Sequence, residues 1–195
     1  MKIKATIVGT SPLFLNPPPL KLGEPVPPDA SDYEIAKKKV TQFDGKHGIF
    51  SVLIISTLKN AGRFHKIGKK QITTGAGSLV TSFLRIPTEF LPFSNGTDWK
   101  PDGRYTKNEK EQLIWTVRPR FDNWELEIEM DLEENAGVHE ALILELLKTG
   151  GQKVGLGSFR IGNGGPGGAY EVTRFQVFKN TEVKKKPVEI EYIEN

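Results

Sequence analysis

The chain has 195 residues, of which 37% are hydrophobic and 26% are charged, and its formal net charge is +3. It contains no cysteine, which excludes a disulfide scaffold, thiolate zinc sites, iron–sulfur clusters and cysteine nucleophiles. No apolar run approaches the ~18 residues that cross a bilayer, and the apolar stretch at the N-terminus is too short for a signal peptide. We therefore expect a soluble intracellular protein that is long enough to bury its own core.

The first part of the chain predicts a strand, a loop and a short helix. Residues 2–8 alternate between apolar and polar side chains, as in a half-buried strand. Seven of the 13 prolines fall between residues 12 and 28, which predicts an extended loop over a surface. Residues 31–40 predict a short helix that Ser31 caps, with Glu34 completing a capping box.

A helix and a long insertion are predicted next. Residues 49–62 are largely apolar and predict a helix that ends at Gly62. Residues 71–108 hold glycine, proline and scattered aromatic residues, which predicts an insertion with little regular structure. We expect four side chains in it to be at least partly exposed, namely Trp99, Lys100, Arg104 and Lys107.

The second half predicts two strands, a helix and a last strand. Residues 113–119 and 124–132 predict the two strands, and the short link between them predicts an antiparallel hairpin. Residues 137–148 predict a helix that stops at Gly150-Gly151. Residues 169–178 predict the final strand, and the tail from Lys179 onward is expected to be loosely attached.

Without its insertions this order is β-α-(β)-β-α-β. It predicts an α+β fold, specifically a ferredoxin-like or RNA-recognition-type antiparallel sheet with helices on one face. We expect a single domain over residues 1–178, with insertions at about residues 10–45 and 71–108, and a C-terminal tail over residues 179–195.

Charge is separated along the chain. A basic segment, residues 59–70, contains no acid and carries Lys59, Arg63, His65, Lys66, Lys69 and Lys70. An acidic segment, residues 122–145, contains nine Asp or Glu residues and no Lys or Arg. This asymmetry indicates an anionic partner on one side of the protein, although two ordinary solvated faces would give the same pattern.

A glycine-rich loop, residues 154–168 with the sequence VGLGSFRIGNGGPGG, is the most informative part of the sequence. Successive amides in such a loop form anion-binding concavities. Arg160 adds a fork for phosphate, and Phe159 adds a face on which a base stacks. The order helix, loop, strand fits neither a Walker loop nor a Rossmann fingerprint. The alternative to an anion-binding loop is a tight connection between helix and strand that binds no ligand.

Two stretches resemble a known group of proteins. A helix followed by Gly155-Leu156-Gly157-Ser158-Phe159-Arg160-Ile161-Gly162-Asn163-Gly164 resembles the C-terminal glycine-rich signature of the repeat-associated (RAMP) superfamily of CRISPR systems. The opening, from Ile3 through Ser11-Pro12-Leu13-Phe14-Leu15-Asn16, resembles small single-core relatives in phage and prophage genomes. The continuation Gly165-Pro166-Gly167-Gly168 departs from the signature, because it makes the loop longer and richer in glycine.

The resemblance implies a non-catalytic subunit of the CRISPR effector backbone type, in the cytoplasm of a bacterium or of a phage-infected cell. Such a subunit wraps single-stranded guide RNA and oligomerises along it as a ribonucleoprotein filament, with target nucleic acid as a possible further partner. The basic segment and the insertion at residues 71–108 would then form the thumb-like element of that group. The residues leave open whether the strand is RNA or DNA.

The predicted RNA contacts fall into three groups. The loop would contact phosphate and base through Gly155, Gly157, Ser158, Phe159, Arg160, Gly162 and Gly164. The basic segment would provide an electrostatic track, with Phe64 stacking on bases, through Arg63, Phe64, His65, Lys66, Lys69 and Lys70. The third group, at the end of a predicted strand, is Arg118 and Arg120.

Two other functions remain open at this point. Some RAMP relatives are endoribonucleases that process guide RNA with a histidine, and His65 is the candidate here. A phage-encoded mimic of a CRISPR subunit would instead use the acidic hairpin as its surface. The acids at 125, 127, 129 and 131 share one strand face, which indicates a solvated side rather than a metal site. We expect no metal and no cofactor.

Overall fold

The computed structural model describes residues 1–16, 29–107, 110–133 and 137–179. Its strands are β1 (Lys2–Gly9), β2 (Leu13–Phe14), β3 (Gln42–Phe43), β4 (Lys46–Phe50), β5 (Lys66–Ile67), β6 (Lys70–Gln71), β7 (Leu84–Arg85), β8 (Phe90–Pro92), β9 (Lys100–Lys107), β10 (Leu113–Phe121), β11 (Glu125–Leu132) and β12 (Tyr170–Phe178). Its helices are α1 (Asp32–Lys37), α2 (Val52–Ala61), α3 (Val80–Phe83) and α4 (Glu140–Thr149). Antiparallel sheets with a few helices make this an α+β fold, as predicted. Among the described residues, no helix has the length and apolar character needed to span a membrane.

Four strands form the central antiparallel sheet, in the order β12-β1-β11-β7. In the middle of it, Lys4 of β1 lies opposite Glu129 of β11 on one side and Gln176 of β12 on the other. Ile3, Ala5 and Ile7 of β1 are buried, because strand alternation places these three residues on one face. The predicted first and last strands are therefore confirmed.

The hydrophobic core lies between the buried face of this sheet and helices α2 and α4. Leu58 of α2 and Leu146 of α4 are completely buried in the same cluster as Leu126 and Ile128 of β11. Both predicted helices are confirmed with shifted bounds. The apolar run at residues 49–62 is divided, because its first residues belong to β4, and only the part from Val52 onward is helical.

The predicted hairpin between residues 113–119 and 124–132 is wrong. β10 pairs with β9, where Trp115 lies opposite Tyr105, and with β2, where Arg120 lies opposite Phe14. β11 pairs instead with β1 and β7.

The bend between β10 and β11 explains why the two strands separate. Trp124 at the bend is 1% exposed, and its indole N–H donates to the Ser11 carbonyl at 2.9 Å. β11 pairs with β1 instead, and an ion pair joins these two strands, since the Lys4 ammonium lies 2.5 Å from the Glu129 carboxylate. The short link therefore carries the chain from one sheet into another.

The prediction of little regular structure at residues 71–108 is also wrong. The range contains α3, β7, β8 and the eight-residue strand β9. The sequence of β9, KPDGRYTK, holds proline, aspartate and glycine, which disfavour strands. Pairing with β10 along its whole length overrides that local preference. The expected exposure is confirmed: Lys100 and Lys107 are exposed, while Trp99 and Arg104 are partly exposed.

The insertion predicted at about residues 10–45 contains β2, α1 and β3. The capping box of α1 is confirmed, since the Ser31 hydroxyl accepts from the Glu34 amide and the Glu34 carboxylate accepts from the Ser31 amide. Residues 17–28 of the predicted proline-rich loop lie outside the described residues, as do residues 180–195 of the predicted tail.

α4 ends at Thr149, directly before Gly150-Gly151, as predicted, but the chain does not leave the helical conformation there. The chain continues from α4 as one π-helical turn, Gly150–Val154. A Cβ at Gly151 would lie 2.1 Å from the Tyr170 carbonyl oxygen, so glycine allows the turn to touch the start of β12. This contact sets where the glycine-rich loop begins.

We predict that Gly151→Ala lowers the free energy of unfolding by about 1–3 kcal/mol, the usual cost of an overpacked backbone contact. Gly75→Ala is the matched control, because a Cβ at Gly75 meets nothing within 4 Å, and it should change the value by no more than about 0.5 kcal/mol. Urea denaturation followed by circular dichroism measures both. Equal stability of the two variants would contradict the close contact with β12.

Candidate nucleic-acid interface

The glycine-rich loop packs closely against the chain segment around β2. The Ser158 amide donates to the Phe14 carbonyl at 2.8 Å, and the Gly168 amide donates to the Pro12 carbonyl at 2.9 Å. A Cβ at Gly157 would lie 2.5 Å from the Phe14 carbonyl oxygen. Several glycines of the loop are therefore needed for this close approach rather than for a ligand.

Most amides of the loop already have acceptors within the protein. The donors to main-chain carbonyls include the amides of Gly155, Leu156, Ser158, Ile161, Asn163, Gly164, Gly165, Gly167 and Gly168. Within the described part of the chain, no hydrogen bond is formed by the amides of Gly157, Phe159, Arg160 and Gly162. Fewer main-chain amides can therefore contact a phosphate than the sequence predicts, because the amides of Gly155 and Gly164 already donate to carbonyls of the protein.

Phe159 has a left-handed backbone, with φ +56°, which is uncommon for a residue other than glycine. Its carbonyl accepts from the Gly167 amide at 3.1 Å. A Cβ at Gly165 would lie 2.1 Å from the same carbonyl oxygen. The glycines after Phe159 thus hold its backbone in this conformation and fix the direction of its ring.

An aromatic pair surrounded by arginines forms the centre of the candidate site. The Phe159 ring meets the buried Phe14 ring edge to face, with 5.9 Å between centroids. The Arg104 guanidinium lies 5.2 Å from the Phe14 centroid and 5.4 Å from that of Phe159. Arg118 lies 5.1 Å from the Phe159 centroid, and Arg120 lies 5.8 Å from that of Phe14. Cation–π contacts of this length are attractive.

Strand pairing explains why these three arginines meet. Arg118 and Arg120 are two residues apart on β10 and therefore point to the same face. Arg104 of β9 lies opposite Thr116, one step further along that face. The pairing of Arg120 with Phe14 places β2, and with it the glycine-rich loop, beside the arginines.

Carboxylates neutralise only part of this positive charge. Asp102 accepts two hydrogen bonds from the Arg104 guanidinium, at 2.5 and 2.8 Å, and these bonds raise the pKa of Arg104. Arg120 lies between Asp102, at 3.6 Å, and Asp122, at 2.6 Å. Lys100 forms a second ion pair with Asp122 at 2.5 Å, and its hydrogen bond lowers the pKa of that carboxyl.

Arg118 has no such partner among the described residues. It is 9% exposed, and its buried Nε forms no hydrogen bond there. Burial lowers its pKa, and the neighbouring Arg104 adds to that effect while Asp102 opposes it. A buried guanidinium without a carboxylate is costly unless an anion compensates it.

Arg160 of the loop is partly exposed, and its guanidinium has hydrogen-bonding capacity that the described residues do not satisfy. Its Nε is buried and has no hydrogen-bond partner in the described ranges. Its backbone forms a bridge with Gly167, which fixes the position of the residue in the loop. A phosphate is a natural acceptor for such a group.

The basic segment lies beside the start of the loop. Its chain forms a 3-10 turn and the small hairpin β5–β6, which leaves Arg63, Lys66, Lys69 and Lys70 exposed. Phe64 is 55% exposed, and the Lys153 ammonium lies 4.9 Å from its ring centroid. A Cβ at Gly162 would lie 3.1 Å from the Lys153 carbonyl oxygen, so Lys153 connects the segment with the loop.

His65 forms a hydrogen bond with a hydroxyl group. Its Nε2 lies 2.7 Å from the Thr149 Oγ1 at the end of α4. No carboxylate bonds to the ring within the part of the chain that the structure describes. The acid–base role considered for His65 requires a partner that relays or orients a proton, and a threonine hydroxyl fits a structural contact better.

Sequence reasoning missed Phe14, Asp102, Arg104 and Lys153 as members of this site. Phe14 was recognised as part of the opening motif, and Arg104 as an exposed charge, but neither was placed near the loop. The spacing of Arg118 and Arg120 was the one available signal. Their neighbours come from β2 and β9, whose pairing with β10 was not predicted.

Comparisons with known proteins add no relative. No protein-family model matches the chain, and no curated protein sequence matches it.

We predict that Phe159→Leu lowers the free energy of unfolding by about 1–2 kcal/mol. Leucine keeps an apolar side chain at this position but loses the ring contacts with Phe14 and two guanidiniums. The control is Phe43→Leu, since Phe43 is 62% exposed and contacts the Phe90 ring, and no cation of the described residues lies over its ring. It should change stability by no more than about 0.5 kcal/mol. Urea denaturation at neutral pH measures both variants. A loss no larger for Phe159→Leu than for Phe43→Leu would show that the guanidinium contacts contribute no stability.

Proposed function

We propose that this protein is a non-catalytic subunit that binds a single strand of nucleic acid, with guide RNA of a RAMP-type RNA-guided complex as its partner. The observation that carries this proposal is the excess of positive charge around the Phe14–Phe159 pair, where Arg118 is buried and forms no ion pair with the described residues. Single-strand binders combine a cationic groove for the backbone with aromatic faces for bases. Both features occur at this loop and at Phe64 in the basic segment.

The proposed path of the strand follows the cations. Phosphates would first meet the exposed lysines of β5–β6 and then Lys153, which contacts Phe64. They would continue to Arg160 and to the arginines beside Phe159. Phe64, whose side chain is exposed, would stack on a base.

We further propose that the central sheet is ferredoxin-like, which supports the RAMP relation. Its order β12-β1-β11-β7 has α2 between β1 and β7 in the chain, and α4 between β11 and β12. Strands numbered one to four along the chain would thus lie in the order 4-1-3-2, with a helix after the first and the third. This is the split βαβ arrangement of that fold.

The open face of the sheet is a poor place for RNA in this protein. RNA-recognition domains stack bases on aromatic residues of their central strands. Here β1 and β11 present Lys4, Thr6, Glu127 and Glu129 on that face. Because glutamates repel phosphate, we place the strand on the loop side of the molecule.

We predict that Arg160→Ala weakens binding of single-stranded RNA by about 1–3 kcal/mol, the scale of a charged hydrogen bond that is left unmade. The control is Arg174→Ala, because Arg174 lies on the open sheet face, away from the loop, and it should leave the affinity within about twofold. Fluorescence anisotropy with a labelled oligoribonucleotide measures both, at several salt concentrations. Contact with phosphates also predicts that the logarithm of the affinity falls linearly with that of the salt concentration. An unchanged affinity of Arg160→Ala would refute the assigned role.

We also predict that the protein associates with itself on RNA, because a 21.7 kDa chain covers only a few nucleotides of a strand. Sedimentation of the protein with oligoribonucleotides of increasing length should give complexes that gain whole protein copies. The matched control is the protein alone at the same concentration. A complex that keeps a single copy on every length of RNA would contradict this expectation.

A further inference from the structure

A second cationic pocket lies on the other side of Arg118, between α1 and the β9–β10 hairpin. Its volume is about 450 Å³, within the range of small-molecule sites. Asn16 is one of its lining residues and follows β2, which pairs with the end of β10. Phe159 does not line this pocket, so the pocket is separate from the aromatic pair.

The described residues that line the pocket include three cations and no acid. The cations are Lys39, Lys107 and Arg118. The Lys39 ammonium donates one hydrogen bond to the Val117 carbonyl at 2.8 Å, which leaves two of its protons for a ligand. Burial lowers the pKa of Lys39, and repulsion from the nearby Arg118 lowers it further.

Three carboxylates neighbour the lining residues, and each already has a partner: Asp32 accepts from Trp115, Asp102 accepts from Arg104, and Glu111 pairs with Lys107. Lys107 forms an exposed ion pair with Glu111 at 3.8 Å, which is worth little in water. Arg118 is more than nine-tenths buried and its Nε has no hydrogen-bond partner among the described residues. An anion between Arg118 and Lys39 would satisfy the guanidinium and relieve the repulsion.

The rest of the lining combines polar side chains, among them Thr106 and Thr116, with an apolar part. Ile35, Ile114 and Trp115 contribute to it. The Trp115 indole N–H donates to the Asp32 carboxylate at 3.0 Å, which fixes the plane of the ring. A fixed indole beside a pair of cations is suited to a ligand with an aromatic ring at one end and a phosphate at the other.

We propose that this pocket binds a phosphomonoester carried by a nucleoside, with the phosphate on Arg118 and Lys39 and the base against Trp115 and Ile114. A phosphomonoester carries a charge of about −1.5 to −2 and three acceptor oxygens at neutral pH. It can therefore pair with a guanidinium and an ammonium together, whereas an internal phosphodiester carries a single charge. The nucleotide is either free in solution or the end of a bound strand, and the second source rests on the proposed function.

Calorimetric titration of the full-length protein with adenosine 5′-monophosphate tests the pocket. We expect one site per chain, with adenosine and inorganic phosphate each binding at least about tenfold more weakly, because each probe makes only part of the contacts. Lys39→Gln should weaken nucleotide binding about tenfold. Lys38→Gln is the matched control, since its side chain is an exposed neighbour with the same charge, and it should change binding less than about twofold.

The fold of each variant is checked by circular dichroism, and Trp115→Leu provides a second variant that leaves the cations in place. Loss of nucleotide binding in Trp115→Leu and Lys39→Gln, with normal binding in Lys38→Gln, supports the pocket. Equal binding of adenosine and its monophosphate would overturn the proposal. Equal effects of Lys39→Gln and Lys38→Gln would overturn it as well.

Oligoribonucleotides with a terminal phosphate or a terminal hydroxyl distinguish the two sources. If the pocket takes the strand end, the terminal phosphate should raise affinity at least about fivefold in the wild-type protein and not in Lys39→Gln. Equal affinity for both ends, together with Lys39-dependent binding of the monophosphate, identifies a free nucleotide. Binding of the monophosphate without binding of any oligonucleotide would refute the proposed function and keep the pocket. Binding of oligonucleotides that depends on Arg160, without binding of the monophosphate, would refute the pocket alone.

Discussion

The close packing of the glycine-rich loop on the Pro12–Phe14 segment determines the rest of the candidate site. Ser158 donates both its amide and its hydroxyl to the Phe14 carbonyl, at 2.8 and 3.0 Å. At this distance a side chain on Gly157 or Gly167 would overlap the Phe14 residue. The loop is therefore a fitted part of the fold, and the role of its glycines is mainly to let two backbones touch.

Because of this packing, the loop acts by positioning side chains. With its amides largely engaged, the loop can offer an anion few main-chain donors. What it offers instead is the Phe159 ring, which the left-handed backbone of this residue holds against Arg104 and Arg118 of another sheet. Guanidiniums that rest on aromatic rings lose fewer conformations on binding, and preorganisation of this kind favours affinity for phosphate.

Those features of the fold that local sequence patterns determine could be predicted, and those that strand pairing determines could not. The alternation of β1 and β11 and the Ser31–Glu34 capping box are local, and each was predicted correctly. β9 was missed because its own residues disfavour a strand, and it forms only by pairing with β10. The false hairpin came from the rule that a short link joins paired strands, which the buried Trp124 overrides at the bend.

The same limit applies to the site. The loop and its Arg160 were found because glycine, arginine and phenylalanine occur together in the sequence. The arginine cluster was not found, because Phe14, Arg104 and Arg118 lie far apart in the chain and meet only through β2–β10 and β9–β10 pairing. Non-local pairing thus decides which of several charged residues become neighbours.

The residues of the candidate site come from different parts of the fold. Phe159 follows α4 and belongs to the connection between α4 and β12, whereas Phe14, Arg104 and Arg118 lie in a separate sheet of strands β2, β10 and β9. The central sheet contributes buried apolar residues, and its open face contributes the Lys4–Glu129 pair. The smaller sheet carries the three arginines and also packs into the core, since Leu13 of β2 and Phe121 of β10 belong to the same buried cluster as Ile3. The hydrogen bond between Ser158 and Phe14 then fixes the position of the smaller sheet relative to the loop.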